Sequence, residues 1–196
     1  MTTTPDADAS EKEGTQAIDL RTAPLMSIRG RDLRGRERDL WSDEAALWDR
    51  MQLAWAGLDG EAWHRPGAAP SDAGGPDWSL AEHAGHIADW LELAVDYTRR
   101  AIETGEWPSD SDYGDFDTFN EGRREPWASM PRDEILGRLD AARPRLLDVA
   151  HRLSPEEFRS DASWRWLYAA LHGHYLDHLA VVEPWTAELR RSGAAR

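Results

Sequence analysis

The chain has 196 residues, a formal charge of −14 at neutral pH and no cysteine. This length fits one domain with a tail, and the negative field disfavours nucleic acid as a partner. The lack of cysteine excludes disulfides, thiolate nucleophiles and Cys-type zinc sites, so any metal ion must be held by His, Asp or Glu. No stretch approaches the roughly 18 apolar residues of a membrane span, and the N-terminus has no apolar signal region. We therefore expect a cytoplasmic protein with no membrane partner.

The N-terminal part of the chain differs in pattern from the rest of the sequence. Residues 1–37 carry too few apolar positions to offset chain entropy, which predicts a mobile tail. Apolar residues at helical spacing begin at about Arg38 and continue to Leu58, before the breaker pair Asp59-Gly60. The sequence thus predicts a tail at 1–37 and a helical domain at 38–192.

Three further helices are predicted from the same periodicity. They cover about 79–104, 131–153 and 163–190, with Pro144 expected to kink the middle one. The segment 109–127 is too acidic for a core element, and we expect it to cap one end of the structure with a short helical turn. Four long helices without β-alternation predict an all-α fold, an antiparallel four-helix bundle.

Two histidines of the fourth helix lie on its apolar stripe. His174 and His178 are four residues apart, so their imidazoles project from one face and can bind one metal ion. His172 lies about 200° from His174 around the helix axis and is expected to face solvent or a loop. The second helix places both His83 and His86 inward, and periodicity does not choose between them.

The residues around these histidines resemble the DinB-like superfamily of damage-inducible DinB and YfiT-like proteins. The run from Trp78 to Trp90 is similar to its Trp-Ser…His-(apolar)-Ala-Asp-Trp segment, and the run from His174 to His178 is similar to its His-x-x-x-His. The resemblance covers about residues 38–190. It implies a four-helix bundle with a divalent ion, zinc or nickel first and iron or manganese as alternatives. The implied metal ligands are His86, His174 and His178.

The resemblance also implies an activity. A metal ion with an open position lowers the pKa of a bound water or thiol and acts as a Lewis acid. The superfamily implies an S-transferase that moves a low-molecular-weight thiol to a small electrophile, or a hydrolase. The Ala-rich composition, with arginine in place of lysine, is compatible with a high-GC bacterium, for which mycothiol is the thiol to test first. The segment 115–120 is similar to the ClbS/DfsB-like branch, which implies the alternative of a protective protein that binds or detoxifies a DNA-damaging small molecule. A third interpretation is a bundle with a structural metal, or none, and no chemistry. The catalytic residues stay unassigned.

Four side chains are candidates for substrate binding. Trp90, Trp107 and Trp166 could wall a pocket above the metal and stack on a substrate, although tryptophans more often fill a bundle and its ends. Arg123 could bind an anionic group or form a surface ion pair. The expected partners are a small-molecule substrate and a second copy of the chain in a homodimer.

Overall fold

Helices make up most of the described part of the protein. The computed structural model describes residues 37–67, 77–109, 112 and 114–193. The helices of these residues are α1 Glu37–Trp55, α2 Gly60–His64, α3 Leu80–Thr104, α4 Phe116–Ser129, α5 Arg132–Ala150, α6 Pro155–Arg159, α7 Asp161–Ser163, a π-helix Trp164–Gly173, and α8 His174–Arg191. This part of the chain contains no β-strand, which confirms the all-α class. The predicted tail at 1–37 lies, all but its last residue, outside the described residues.

Helix α3 carries His83 and His86, and the local sequence determines both ends of this helix. The Ser79 side chain accepts a hydrogen bond from the Glu82 backbone N–H at 3.3 Å, and the Glu82 carboxylate accepts one from the Ser79 N–H at 2.6 Å. This capping box satisfies two backbone donors at the helix start. Gly105 ends the helix at a φ of 74°, in the left-handed region that favours glycine.

One apolar core joins the long helices. Helix α3 packs against α5, α4, the π-helix and α8, and α1 packs against the π-helix and α8. The apolar stripe predicted for the third helix is buried throughout: Ile135, Leu139, Ala142, Leu146, Val149 and Leu153. Helix α5 continues through Pro144, as expected. No described helix combines the length and apolarity that a bilayer crossing requires. The antiparallel order of the bundle stays a prediction.

Helix α4 is longer than its acidic sequence predicts. Instead of one short turn it has 14 residues, and Asp115 caps it by accepting hydrogen bonds at 2.9 Å from the Thr118 backbone N–H and hydroxyl. Its inner side is anchored by Trp127, which is buried against α3 at Gly85. The prediction of a short turn is wrong because this helix is held by a buried indole and by polar contacts to α3, such as the Arg124–Glu82 pair, rather than by an apolar stripe.

The segment that leads into α8 is a π-helix of 10 residues. Such helices are rare and often lie near functional sites. His172 belongs to it and is fully buried, 3.9 Å from the Asp43 carboxylate and stacked on the Tyr168 ring. The expectation that His172 faces solvent is therefore wrong. Helix α1, which carries Asp43, covers the side of the π-helix on which His172 lies.

Candidate metal centre

Three histidines from two helices converge inside the bundle. His86 comes from α3, and His174 and His178 come from successive turns of α8. One ring nitrogen of each lies within 4.8 Å of those of the other two. The Nε2 atoms of His174 and His178 are 2.9 Å apart, and the His86 ring centroid is 4.8 Å from that of His174 and 5.0 Å from that of His178. These three residues, called the histidine triad below, are the ones that the resemblance implies.

The triad is neutral at physiological pH. Burial lowers the pKa of His174 to about 4, and burial, with the neighbouring histidines as a further cause, lowers the pKa values of His86 and His178 well below 6.5. Each neutral ring has one nitrogen with a free lone pair, which is the form that binds a metal ion. The Nδ1 atom of His174 is buried and has no hydrogen-bond partner among the described residues. Two Nε2 atoms that ligate one zinc ion lie roughly 3.3 Å apart, so the rings of His174 and His178, in hydrogen-bond contact at 2.9 Å, would have to separate slightly to share a cation.

The family model of the DinB superfamily matches residues 45–182, which include all three triad histidines. The chain belongs to the DinB superfamily. Neither the curated proteins nor the solved structures gave a significant match to it. The match to the DinB superfamily confirms the family that the histidine motifs predict, and it does not distinguish the ClbS-like branch.

The carboxylates nearest the triad of this DinB protein are held by arginines. Glu82 pairs with Arg124 of α4. Asp89 pairs with Arg123 at 3.3 Å and with Arg138 of α5 at 3.2 Å. Burial raises the pKa of Asp89, and the two arginines oppose that shift. The donor set at the convergence point therefore consists of imidazole nitrogens.

A cleft between α3 and α4 opens beside His86. Its lining includes Trp78, His86, Phe119, Asn120, Arg123 and Trp127. The sequence did not predict that Phe119 and Asn120, near the start of α4, line this cleft, although the segment 115–120 that contains them was singled out by its family resemblance. This group is called the His86 cleft below.

Trp90 and Arg123, two of the predicted substrate-binding residues, lie at the triad or at the His86 cleft. The Trp90 ring centroid is 6.2 Å from that of His86 and 6.3 Å from that of His174. Its indole N–H donates to Asn120 Oδ1 at 3.1 Å. Arg123 is exposed, and its guanidinium lies 4.3 Å from the centroid of the Phe119 ring.

Trp107 and Trp166 lie at other levels of the bundle. The Trp166 ring packs against Tyr97 with centroids 4.5 Å apart. Tyr97 is about three turns, or 16 Å, further along α3 than His86, given a rise of about 1.5 Å per residue. Trp107 lies outside α3, three residues after Thr104, and Thr104 itself is about 27 Å along the helix from the level of His86 by the same rise. The structure does not bring these two tryptophans beside the triad.

His83 contacts His178 at the ring nitrogen that faces away from His174. Its Nδ1 is 2.7 Å from Nδ1 of His178, and the two ring centroids are 5.0 Å apart. Burial, the first cause, lowers the pKa of His83 to about 3. Packing groups His86 with the pair on α8, whereas His83 contacts the opposite ring nitrogen of His178.

Proposed function

We propose that the protein binds one divalent metal ion through His86, His174 and His178 and acts on a small electrophile, as a metal-dependent thiol S-transferase or hydrolase. The observation that carries this proposal is the convergence of three buried, neutral imidazoles on one point. Three protein ligands leave a coordination position for water or substrate, which is the pattern of catalytic sites. When bound, the ion supplies a Lewis acid that lowers the pKa of a ligated water or thiol.

Zinc and nickel suit the donor set best. Imidazole nitrogens suit zinc, copper, iron and nickel, whereas magnesium, calcium and manganese favour carboxylate and carbonyl oxygens. The carboxylates of Glu82 and Asp89 are engaged by arginines and do not add oxygen ligands. We therefore expect zinc or nickel ahead of iron, and manganese last.

The side chains around the triad suit a small substrate. Trp90 presents an apolar ring next to both His86 and His174, where it limits the access of bulk water. Arg123 presents an exposed guanidinium at the His86 cleft, which suits an anionic group of a substrate or thiol. Because the chain has no cysteine, the sulfur of an S-transfer reaction must come from a co-substrate thiol, and mycothiol is the first to test.

Metal analysis of the protein purified without chelators tests the site. We expect one zinc or nickel ion per chain in the wild type after reconstitution, and less than stoichiometric metal in His174→Ala and His178→Ala. His151→Ala is the matched control, because His151 is exposed and lies outside the triad. A wild type that carries no stoichiometric metal, before or after reconstitution, would contradict the proposal.

A thiol panel tests the reaction. The zinc-loaded protein is incubated with a small aryl halide and each thiol in turn, and the thioether and the released halide ion are measured. Formation faster than with His174→Ala supports transfer, and a thiol-independent loss of electrophile with uptake of water supports hydrolysis.

A protective binding protein is the second candidate. The observation that favours it is the placement of Phe119 and Asn120, from the segment similar to the ClbS/DfsB-like branch, in the lining of the His86 cleft. Stoichiometric binding of a DNA-alkylating small molecule without turnover, weakened by Asn120→Ala, would support this candidate over an enzyme.

A further inference from the structure

The two nitrogens of the His178 ring face different partners. Nε2 lies 2.9 Å from Nε2 of His174, on the side of the triad. Nδ1 lies 2.7 Å from Nδ1 of His83, on the opposite side. Both rings are buried, so water does not compete for this contact. The orientation of the His178 ring is therefore defined by His83 on one side and by His174 on the other.

Proton counting gives this contact one consistent form when the triad holds an ion. A neutral imidazole has one N–H and one lone pair. If Nε2 of His178 ligates the ion, the proton of His178 is on Nδ1 and is donated to Nδ1 of His83. The single proton of His83 is then on its Nε2.

We propose that His83 is a positioning residue for the metal centre, which accepts a hydrogen bond from Nδ1–H of His178 and so holds the Nε2 lone pair of His178 toward the ion. This inference rests on the proposed metal site. Metal-bound histidines usually donate their second N–H to a carboxylate, a backbone carbonyl or water, and that partner fixes the tautomer and the ring orientation. A neutral imidazole in that position adds no negative charge, so the bound ion stays a stronger Lewis acid than with a carboxylate partner.

The surroundings of His83 support a role beyond packing. Its ring lies against Trp78, with centroids 5.3 Å apart, in the first turn of α3 that the Ser79 capping box fixes. Its Nε2 is buried without a hydrogen-bond partner among the described residues. A buried N–H without a partner destabilises the fold, and an apolar side chain of similar size would avoid that cost. The hydrogen bond to His178 is what an apolar residue could not supply.

A matched pair of variants separates hydrogen bonding from packing. His83→Asn keeps an acceptor close to the position of Nδ1, and His83→Leu has nearly the same shape with no acceptor. Zinc affinity is measured by competition with a chromogenic chelator, and circular dichroism melts of the metal-free proteins verify folding. We expect His83→Leu to bind zinc about 10- to 100-fold more weakly than the wild type, and His83→Asn to stay close to it.

Each outcome separates this inference from the proposed function. A wild type that binds neither zinc nor nickel refutes the metal site and the role of His83 together. A folded His83→Leu that binds zinc as tightly as the wild type refutes only the role of His83. Equal weakening in both folded variants assigns His83 to packing and overturns the inference.

Nuclear magnetic resonance of the zinc-loaded wild type tests the predicted proton positions on His178 and His83 without a variant. Long-range nitrogen–proton correlations report which nitrogen of each ring is protonated. We expect a proton on Nδ1 of His178 and on Nε2 of His83. A proton on Nε2 of His178, or zinc bound to His83, would overturn the inference.

Discussion

Replacing Gly85 with alanine tests the contact between α4 and α3 beside the triad. A Cβ at Gly85 would meet three ring atoms of Trp127 at 2.2, 2.4 and 2.5 Å, so the indole or the whole of α4 has to move. The indole is not free to swing aside. It is 3% exposed, its N–H donates to Asp89 Oδ2 at 3.1 Å, and the Arg138 guanidinium lies 4.3 Å from its ring centroid.

Opposing contributions set the size of the effect. Alanine is favoured over glycine in a helix by about 1 kcal/mol. Overpacking of a core costs about 1–3 kcal/mol, and complete loss of the Trp127 contacts sets an upper limit of about 3–5 kcal/mol. Subtracting the helix gain, we expect Gly85→Ala to lower the free energy of unfolding by up to about 2 kcal/mol if the core is overpacked, and by about 2–4 kcal/mol if the Trp127 contacts are lost completely. The first case lowers Tm by up to roughly 8 °C for a chain of this size.

Urea denaturation of the metal-free proteins measures this change. Gly137→Ala is the matched control, because Gly137 lies inside α5 with no atom within 4 Å of its added Cβ, and we expect it to gain about 0.5–1 kcal/mol. In a Trp127→Ala background the clash is absent, so Gly85→Ala should no longer destabilise. If Gly85→Ala stabilises the wild type as much as Gly137→Ala does, Trp127 does not pack on Gly85 and the described contact is wrong.

Three further outcomes are expected from the buried histidines and from one arginine. In the metal-free protein, His83 and His174 have pKa values of about 3 and about 4 when folded, whereas the unfolded chain takes up protons below about pH 6.5. The unfolded state therefore binds more protons than the folded state below about pH 6.5. Stability falls as pH decreases from about 6.5 toward the folded-state pKa values, by about 1.4 kcal/mol per pH unit for each histidine. A urea midpoint that stays constant between about pH 6.5 and 5 would contradict this. Zinc at about 100 times its Kd should stabilise the wild type by about 2.7 kcal/mol in calorimetry but not His178→Ala, and an equal gain in both would place zinc elsewhere. Arg190 donates to three carbonyls at the end of α1, the shortest contact being 2.7 Å to Ala54; Arg190→Ala should cost about 1 kcal/mol, and an unchanged urea midpoint would refute the capping role.

Local periodicity predicts the long helices because each carries a continuous apolar stripe. The stripe of α5, from Ile135 to Val149, is buried in full, and α3 spans Leu80–Thr104 where periodicity predicts a helix at about 79–104. Helix α4 has no such stripe. Its position depends on the Trp127 indole packed on Gly85 and on ion pairs to carboxylates of α3, and a local hydrophobic pattern carries no information on such contacts. The available signal was Gly85, a helix-weakening residue inside a long apolar pattern, which predicts a close approach of another element.

The three histidines of the proposed metal site were predictable to different degrees. The spacing of His174 and His178 alone predicts a pair on one face of one helix. Which histidine of α3 joins this pair depends on the relative rotation and height of α3 and α8, and the sequence pattern of a single helix does not determine them. In the sequence, only the family resemblance distinguished His86 from His83. The error at His172 has a related cause, because a helix with neighbours on two sides buries residues that a two-face pattern assigns to solvent.

Although the chain is acidic, two carboxylates of α3 near His86 are paired with arginines of α4 and α5. Glu82 and Asp89 lie on α3 close to His86, and in isolation they would offer oxygen ligands. Folding brings Arg124 and Arg123 from α4 and Arg138 from α5 against these carboxylates. In the proposed metal site the remaining donors are imidazole nitrogens, so we expect selectivity among metal ions to depend on ligand type.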